Sequence, residues 1–489
     1  MKRRLGFLVL LALLAGLALA QTAVVTRSVN LRPSPSTDRH PSAKLTPGAH
    51  VQLLQPDPTG GYYHVETADG KTGFVWGQNI RINTEPIFSK SAGVEAPPES
   101  ASDIPAPLLA RGHPVNWWFV FKFNAASFPA CGAAVQRTCA FGGTVQPYKS
   151  FGQQFSYASS DQHSLQQGSG CVGETGADPV GATFDQVYNG SFFYVIWNDQ
   201  FYDDPVIQGC TKECGGPWGH SKGVLAWNAA GDGFVLQVST PSWPGAGSKG
   251  SPRKKDGNTL GCVLDNDVEV SQHFFSLKLT KDDLLKVLRA LANASVVTDV
   301  ANSQLVNNGG PADVQTLVRN LGKKSDSRKF SNDTLSSGVV LISKPSHLNV
   351  PPWQMVSAVL GGVSLRAATW WEPPKIPSTT VSTPVKCWDG TLGKPGAVEI
   401  ATTGAWAGKA LGLEGGAKPD GNHAKIGVST SGTHKYSIFA DMNQQGTLSG
   451  PNCASSQDGR GGLFYVVDDG PLFDGVTALI KGASGPLAP

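Results

Sequence analysis

Gly219-His220-Ser221-Lys222-Gly223 and Asn422-His423-Ala424-Lys425-Ile426 decide how this chain is read. In each string a His and a Lys, two positions apart, open an apolar run of strand type, so both side chains leave one face of a sheet. Outward from the first, Lys222-Gly-Val-Leu-Ala-Trp227 and Phe234-Val-Leu-Gln-Val238 flank residues 228–233, which have the composition of a hairpin turn. Lys425-Ile-Gly-Val-Ser429 and Tyr436-Ser-Ile-Phe-Ala440 flank residues 430–434 in the same way. Each motif therefore opens the first strand of a hairpin.

A phosphodiester is cleaved without metal when one imidazole attacks phosphorus, a second protonates the leaving oxygen, and fixed cations neutralise the phosphoryl oxygens. Two His-x-Lys units facing one another supply that set. Metal chemistry fits less well, because an ammonium is a poor ligand and no Asp, Glu, His or Cys completes a triad at short spacing beside either His. No catalytic metal and no cofactor are expected. A single His-x-Lys also describes a surface His beside a solvated Lys; its repetition in matched strand-turn-strand settings favours a site.

The flanks add a resemblance. Trp218-Gly-His-Ser-Lys-Gly-Val-Leu225, Gly233-Phe-Val-Leu236 and Ser239-Thr-Pro-Ser-Trp-Pro244 resemble the first-half signature of the deoxyribonuclease II family. Gly112-His-Pro-Val-Asn-Trp-Trp-Phe-Val-Phe-Lys122 resembles that family's opening strand, and Val187-Tyr188 with Trp197-Asn198-Asp199 its next block. Asn422-His-Ala-Lys-Ile-Gly-Val-Ser429, Asp441-Met442-Asn443 and Arg460-Gly461-Gly462 follow the family's order in the second half, so the likeness runs from about Gly112 to about Val467. It implies a phospholipase D-like α/β fold, with mixed sheets and flanking helices, in which two His-x-Lys halves form a pseudodimer within one chain. It also implies an endonuclease that cuts DNA without divalent metal at acidic pH, leaving 3′-phosphate and 5′-hydroxyl ends. Carried over, His220 is the nucleophile that forms a phosphohistidine, His423 the general acid, and Lys222 and Lys425 the holders of the phosphoryl oxygens. Asn443 and Arg460 are the implied phosphate contacts, Arg460 being equally readable as a surface turn residue. Ile426-Gly427 stands where relatives often carry Trp-Cys, so the disulfide expected there is absent or rerouted.

An unperturbed His titrates near pH ~6.5, and the reaction needs one neutral and one protonated ring, so the productive state peaks around or below that value. Two rings sharing one phosphate titrate together, which predicts a bell-shaped rate profile.

The whole chain is consistent with an exported globular protein. Its 489 residues are 40% hydrophobic and only 16% charged, with a formal net charge of +3 and no polybasic arm. Residues 1–20 begin Lys2-Arg3-Arg4, continue apolar to Leu19 and end Ala18-Leu19-Ala20, the pattern of a secretory signal peptide. No later segment is long enough to span a membrane, so a secreted or periplasmic location is expected. Cys131, Cys139, Cys171, Cys210, Cys214, Cys262, Cys387 and Cys453 form an even set suited to disulfides of open connectivity, with Cys210 and Cys214 bracketing a loop before the first motif. Lys249, Arg253, Lys254 and Lys255 make a local basic loop, either solvated or contacting a DNA backbone without sequence preference.

Residues 21–83 read as short strands, and Val29-Asn-Leu-Arg-Pro-Ser-Pro-Ser36, Gly48 and Gly70-Lys-Thr-Gly-Phe-Val-Trp76 resemble the bacterial SH3 (SH3b) domain, a small β-barrel. That resemblance implies a cell-wall peptide as ligand. Residues 84–110 are rich in Pro, Ala and Ser and read as a linker. Residues 111–475 form the catalytic domain, its halves dividing at about 260/261, and 476–489 a tail. Helices are expected at 281–292, after a Thr280 cap, and at 311–319. The protein is expected to be monomeric, with an intrachain pseudo-twofold.

His163 and His434 in polar turns, and His273 before Phe274-Phe275, read as structural or surface residues. Trp370-Trp371 reads as core or interface rather than as a base-stacking platform. The rival functions are a phospholipase D-type phosphodiesterase acting on lipid, and a non-catalytic wall- or DNA-binding protein. The absence of an exposed amphipathic helix speaks against the first, and intact His and Lys in both motifs against the second.

Overall fold

The computed structural model describes residues 22–55, 57–67, 70–83, 104–129, 141, 152–173, 176–202, 204–207, 210, 213–254, 257–260 and 268–489. The signal-peptide reading, most of the linker reading, Lys255, Cys131, Cys139 and Cys262 lie outside the described residues. The chain divides into two units, Met1–Glu99 and Ser100–Pro489.

In the first unit five antiparallel strands pair in the order Thr72–Trp76, Tyr62–Thr67, His50–Leu53, Thr22–Val25, Ile80–Asn83. Period-two alternation builds it: Val51 and Leu53 face a small core with Ala23, Val25, Leu31, Val65 and Val75, while His50 and Gln52 face outward. The unit is all-β, as its alternation predicts.

Ten strands and five helices carry the argument in the second unit. The strands are β1 (Trp117–Lys122), β2 (Phe193–Asn198), β3 (Lys222–Trp227), β4 (Gly233–Val238), β5 (Gln272–Leu279), β6 (Val340–Lys344), β7 (Leu365–Ala368), β8 (Ile426–Ser429), β9 (Tyr436–Ala440) and β10 (Gly462–Asp468). The helices are α1 (Pro179–Tyr188), α2 (Lys281–Asn293), α3 (Ala312–Val318), α4 (Pro352–Val359) and α5 (Gly470–Leu479). One sheet runs Gln166–Gln167, Phe155–Ser159, β1, β5, β4, β3, β2, Val306–Asn307; the other runs Ser331–Thr334, β6, β10, β9, β8, β7, Val398–Ile400. The central order 1-5-4-3-2 thus recurs as 6-10-9-8-7. The helices follow suit: α1 precedes β2 as α4 precedes β7, and α2 follows β5 as α5 follows β10. The first sheet is antiparallel throughout, and the second has one parallel pair, β7 with Val398–Ile400. Mixed sheets with few helices give an α/β fold in the broad sense.

Both motif hairpins form where expected, β3 with β4 and β8 with β9. The helix at 281–292 forms as α2, started by a capping box between Thr280 and Asp283, and α3 begins after Pro311. Three boundaries differ. β5, assigned to the second half by the division at 260/261, pairs between β1 and β4 of the first sheet because its apolar run completes that core. The linker ends before residue 110, since Ala106 and Leu108 are buried and Leu108 bonds Thr183 of α1. Residues 476–489 are no free tail: α5 runs to Leu479, and Ser378, Ile400 and Thr402 bond the segment beyond it.

The two sheets share one core, in which Phe119 and Phe275 of the first stack on Phe439 of the second at 4.4 and 4.7 Å.

Candidate active site

Each motif is anchored to the other sheet's half. The His220 N–H donates to the carbonyl of Gly461, which precedes β10, at 2.7 Å, and the His423 N–H donates to that of Ser271, which precedes β5, at 2.8 Å. The acceptor strands are braced from beneath by two buried lysines. Lys122, ending β1, donates to the carbonyls of Gly152, Val268 and Val270 at 2.6, 3.3 and 2.6 Å; Lys344, ending β6, donates to those of Asp458 and Arg460 at 2.7 and 2.8 Å. Gly461 admits no side chain there, because a Cβ would lie 2.2 Å from the Ala294 carbonyl oxygen.

The result is one cavity of about 920 Å³ whose wall includes His220, His423, Lys425, Asn443, Gln445 and Arg460. Lys222 stands behind that wall, only 2% exposed, and donates to Asp199 Oδ1 at 2.5 Å. Arg460 reaches the other oxygen of Asp199 at 2.7 Å and also donates to the carbonyls of Cys214, Trp218 and Gly219. It is a clamp on the approach to His220 rather than the surface turn residue that the sequence also allowed.

The imidazoles differ in their partners. His220 Nδ1 lies 2.7 Å from the Asp441 carbonyl, which can only accept, so Nδ1 carries the hydrogen and Nε2 a lone pair. His423 Nδ1 faces the Gln272 Nε2 at 3.4 Å, and the Trp370 ring meets it edge-on at 4.2 Å between centroids. Among the described residues, the buried polar atoms without a partner include His423 Nε2, Asn443 Oδ1 and Gln457 Oε1, all on residues lining the cavity. Orphans of this kind are costly unless something enters to meet them. Asn443 Nδ2 donates to Gln445 at 2.8 Å.

Charge sets the protonation states. Burial pushes both His220 and His423 well below the ordinary imidazole value; Lys222 adds to this at His220 against the pull of Asp199, and Lys425, Lys222 and Lys122 add to it at His423. Asp199 resists the effect of burial and stays far below the usual carboxylate range because Lys222, His220 and Arg460 surround it. Asp441, by contrast, is pushed up to about 7 by burial, although Ser221, Gln237 and the Leu463 N–H bond its carboxylate.

Asp199, Asp441 and Gln272 were not singled out for a role by their sequence. Trp371 is core, but Trp370 lines the cavity, which corrects the joint reading of the pair. The basic loop is also corrected: Arg253 is buried and clamps Ser242, while Lys249 and Lys254 are exposed. His163 and His434 pair with Asp469 and Asp468, and His273, fully buried, accepts the Lys425 N–H at 3.1 Å.

Cys210 bonds Cys214 just ahead of His220, and Cys387 bonds Cys453 in the second half. Among the described residues no group of His, Cys, Asp or Glu side chains is placed to share a metal ion, and no helix is long and apolar enough to cross a membrane.

No curated protein matches this chain. The family model described as deoxyribonuclease II matches residues 107–458, which hold both motif hairpins and the greater part of the cavity wall. A match over well more than half of the sequence settles its kinship: the chain belongs to the deoxyribonuclease II family.

Proposed function

We propose that this deoxyribonuclease-like endonuclease cuts DNA without metal, through a phosphohistidine on His220, leaving 3′-phosphate and 5′-hydroxyl ends. The observation that carries the reading is the meeting of His220 and His423, from opposite halves, on one cavity wall, with His220 Nδ1 spent on the Asp441 carbonyl. That bond aims a lone pair at Nε2, the atom that attacks phosphorus. As the P–N bond forms and the bond from phosphorus to the 5′ oxygen breaks, protonated His423 gives its Nε2 proton to the leaving oxygen. Neutral His423 then takes a proton from water, which attacks the phosphohistidine and frees the 3′-phosphate. Lys425 and Asn443 on the wall meet the phosphoryl oxygens, Arg460 adds positive charge on that wall, and Lys222 supplies it from behind His220. The arrangement is of the phospholipase D type, two halves and one site in a monomer.

The low intrinsic basicity of both imidazoles has a consequence for the acid optimum. A bound phosphate offsets the lysine charges, so the rings take up protons more readily in the complex than in the free enzyme.

The disulfides support an extracytoplasmic setting reached through a cleaved signal peptide. For the first unit we propose the SH3b role of holding a cell-wall peptide. A groove of about 350 Å³ lined by Arg32, Lys44, Tyr62 and Trp76 supports it.

The test is a plasmid digest with EDTA at about pH 5, alongside His220→Ala and His423→Ala. Cleavage should persist with EDTA and vanish in both variants. Loss of activity with EDTA, or its survival in either variant, removes the mechanism.

A further inference from the structure

The two imidazoles occupy equivalent places in the repeated fold, yet their surroundings are chemically opposite. Gly223 pairs with Gln237 across the first hairpin as Ile426 pairs with Phe439 across the second, so Ser239 after β4 corresponds to Asp441 after β9. Gln272, the first residue of β5, likewise corresponds to Gly462, the first of β10. On the His220 side the glycine offers nothing and the Asp441 carbonyl accepts from Nδ1. On the His423 side an amide stands against Nδ1.

We propose that Gln272, held in one orientation by Ser239, is a positioning residue that keeps the proton of His423 on Nε2, the atom facing the leaving group. The proposal rests on the acid role of His423 given above. The His273 N–H donates to Ser239 Oγ at 2.8 Å, and the one Ser239 hydroxyl hydrogen has two acceptors in reach, Gln272 Oε1 at 2.6 Å and the His273 carbonyl at 3.1 Å. Donation to the nearer one sets which end of the amide faces which neighbour. With Oε1 committed to Ser239, the amide NH2 is turned to His423 Nδ1, and only a lone pair on Nδ1 is compatible with it. The hydrogen of the neutral ring therefore sits on Nε2, buried on the cavity wall with no protein partner. A phosphodiester oxygen in the cavity is the acceptor it lacks.

The same lock governs the second proton. An Nδ1–H would face the amide NH2, so protonation requires Gln272 to turn and give up Ser239. The other groups facing His423 add to the resistance: Lys425 beside it, Lys222 of β3 and Lys122 of β1 are cations, Trp370 meets the ring by its edge, and neighbouring His273 uses its Nδ1 to accept from the Lys425 N–H. Gln272 thus keeps His423 neutral until a phosphate anion enters, and so ties acid catalysis to substrate.

Replacing the donor by an acceptor should release the lock. In Gln272→Glu the carboxylate accepts from Nδ1, and the alkaline limb of the rate profile should move up by about one to two pH units. Ser239→Ala, which frees the amide to turn, should move it the same way by less. Imidazole 15N NMR of the free proteins should show His423 with hydrogen on Nε2 in the wild type and on Nδ1 in Gln272→Glu. Folded variants that lose rate with both limbs unmoved would overturn the assignment, as would a wild-type His423 with hydrogen on Nδ1. Should Gln272→Glu fail to fold, Ser239→Ala and the wild-type NMR spectrum still decide. Activity surviving in His423→Ala would instead refute the acid role itself, so the two failures are distinguishable.

Discussion

At the scale of single residues, Asp199 holds the first half of the site together, since its two oxygens are divided between Lys222 and Arg460, all three buried. Asp199→Asn would leave two buried cations without their counter-charge, a loss that in comparable pairs costs about 3–5 kcal/mol. The expected outcome is a clearly lower midpoint of thermal unfolding together with loss of nuclease activity; unchanged stability would show that Lys222 and Arg460 have other partners of equal strength. The sequence announced His220, Lys222, His423 and Lys425 because repetition of an unusual pair is visible in one dimension. Asp199, Asp441, Ser239 and Gln272 gave no such sign. Each is a polar residue at a strand end, where such residues usually cap or turn; Asp199, Asp441 and Gln272 meet a partner from the other half of the chain, and Ser239 acts through Gln272. Gln272 reaches a histidine 151 positions away, and His220 an acceptor 221 positions away. Trp370 was hidden by its neighbour: of two adjacent tryptophans just beyond β7, one entered the core and the other the cavity wall.

At the scale of elements, the hairpins and the capped helix α2 were legible because turn composition, period-two runs and a Thr280–Asp283 box are local signals. The repeat of β1 through β5 in β6 through β10 was not, since equivalent strands share pattern but few residues. Its clearest trace is the pair Trp117-Trp-Phe-Val-Phe-Lys122 and Val340-Leu-Ile-Ser-Lys344, apolar runs that each end on a lysine. Such a terminal lysine would ordinarily be taken as solvated, but both are fully buried and tie off carbonyls just before the strands that receive the histidine N–H groups. In Lys344→Met the methylenes are kept while the Asp458 and Arg460 carbonyls lose their donor, at a cost of about 1–3 kcal/mol for each orphaned group. The same carbonyl-bearing segment carries Arg460 and Gly461, so activity should fall with stability. Urea unfolding and a plasmid digest on one preparation check this; a variant as stable and as active as wild type would show that the lysine is not a brace.

At the scale of the whole molecule, the site's charges make stability depend on pH in a direction that can be worked out. Three imidazoles, His220, His273 and His423, are held well below their ordinary value of 6.5 by burial and by nearby lysines. Their folded forms resist protonation, so the stability they contribute is present above the unfolded value and declines as pH falls below 6.5. Asp441 acts oppositely: raised from 3.8 to about 7, it contributes most below the lower value and loses that contribution as pH rises through the upper one. Asp458 is raised to about 7 in the same way, whereas the depressed Asp199 sides with the imidazoles, whose share of the free enzyme's stability is lost on acidification. An anion between the two histidines reverses this, because it favours the protonated rings that the empty cavity disfavours. Sulfate, a dianion across the whole range, should therefore raise the thermal midpoint more at about pH 5 than at about pH 8. In His423→Ala the difference between the two pH values should shrink, since one of the rings that takes up a proton with the anion is gone. A sulfate effect equal at both pH values in the wild type would mean that the anion binds away from the histidines, and that the cavity they line is not where phosphate is held.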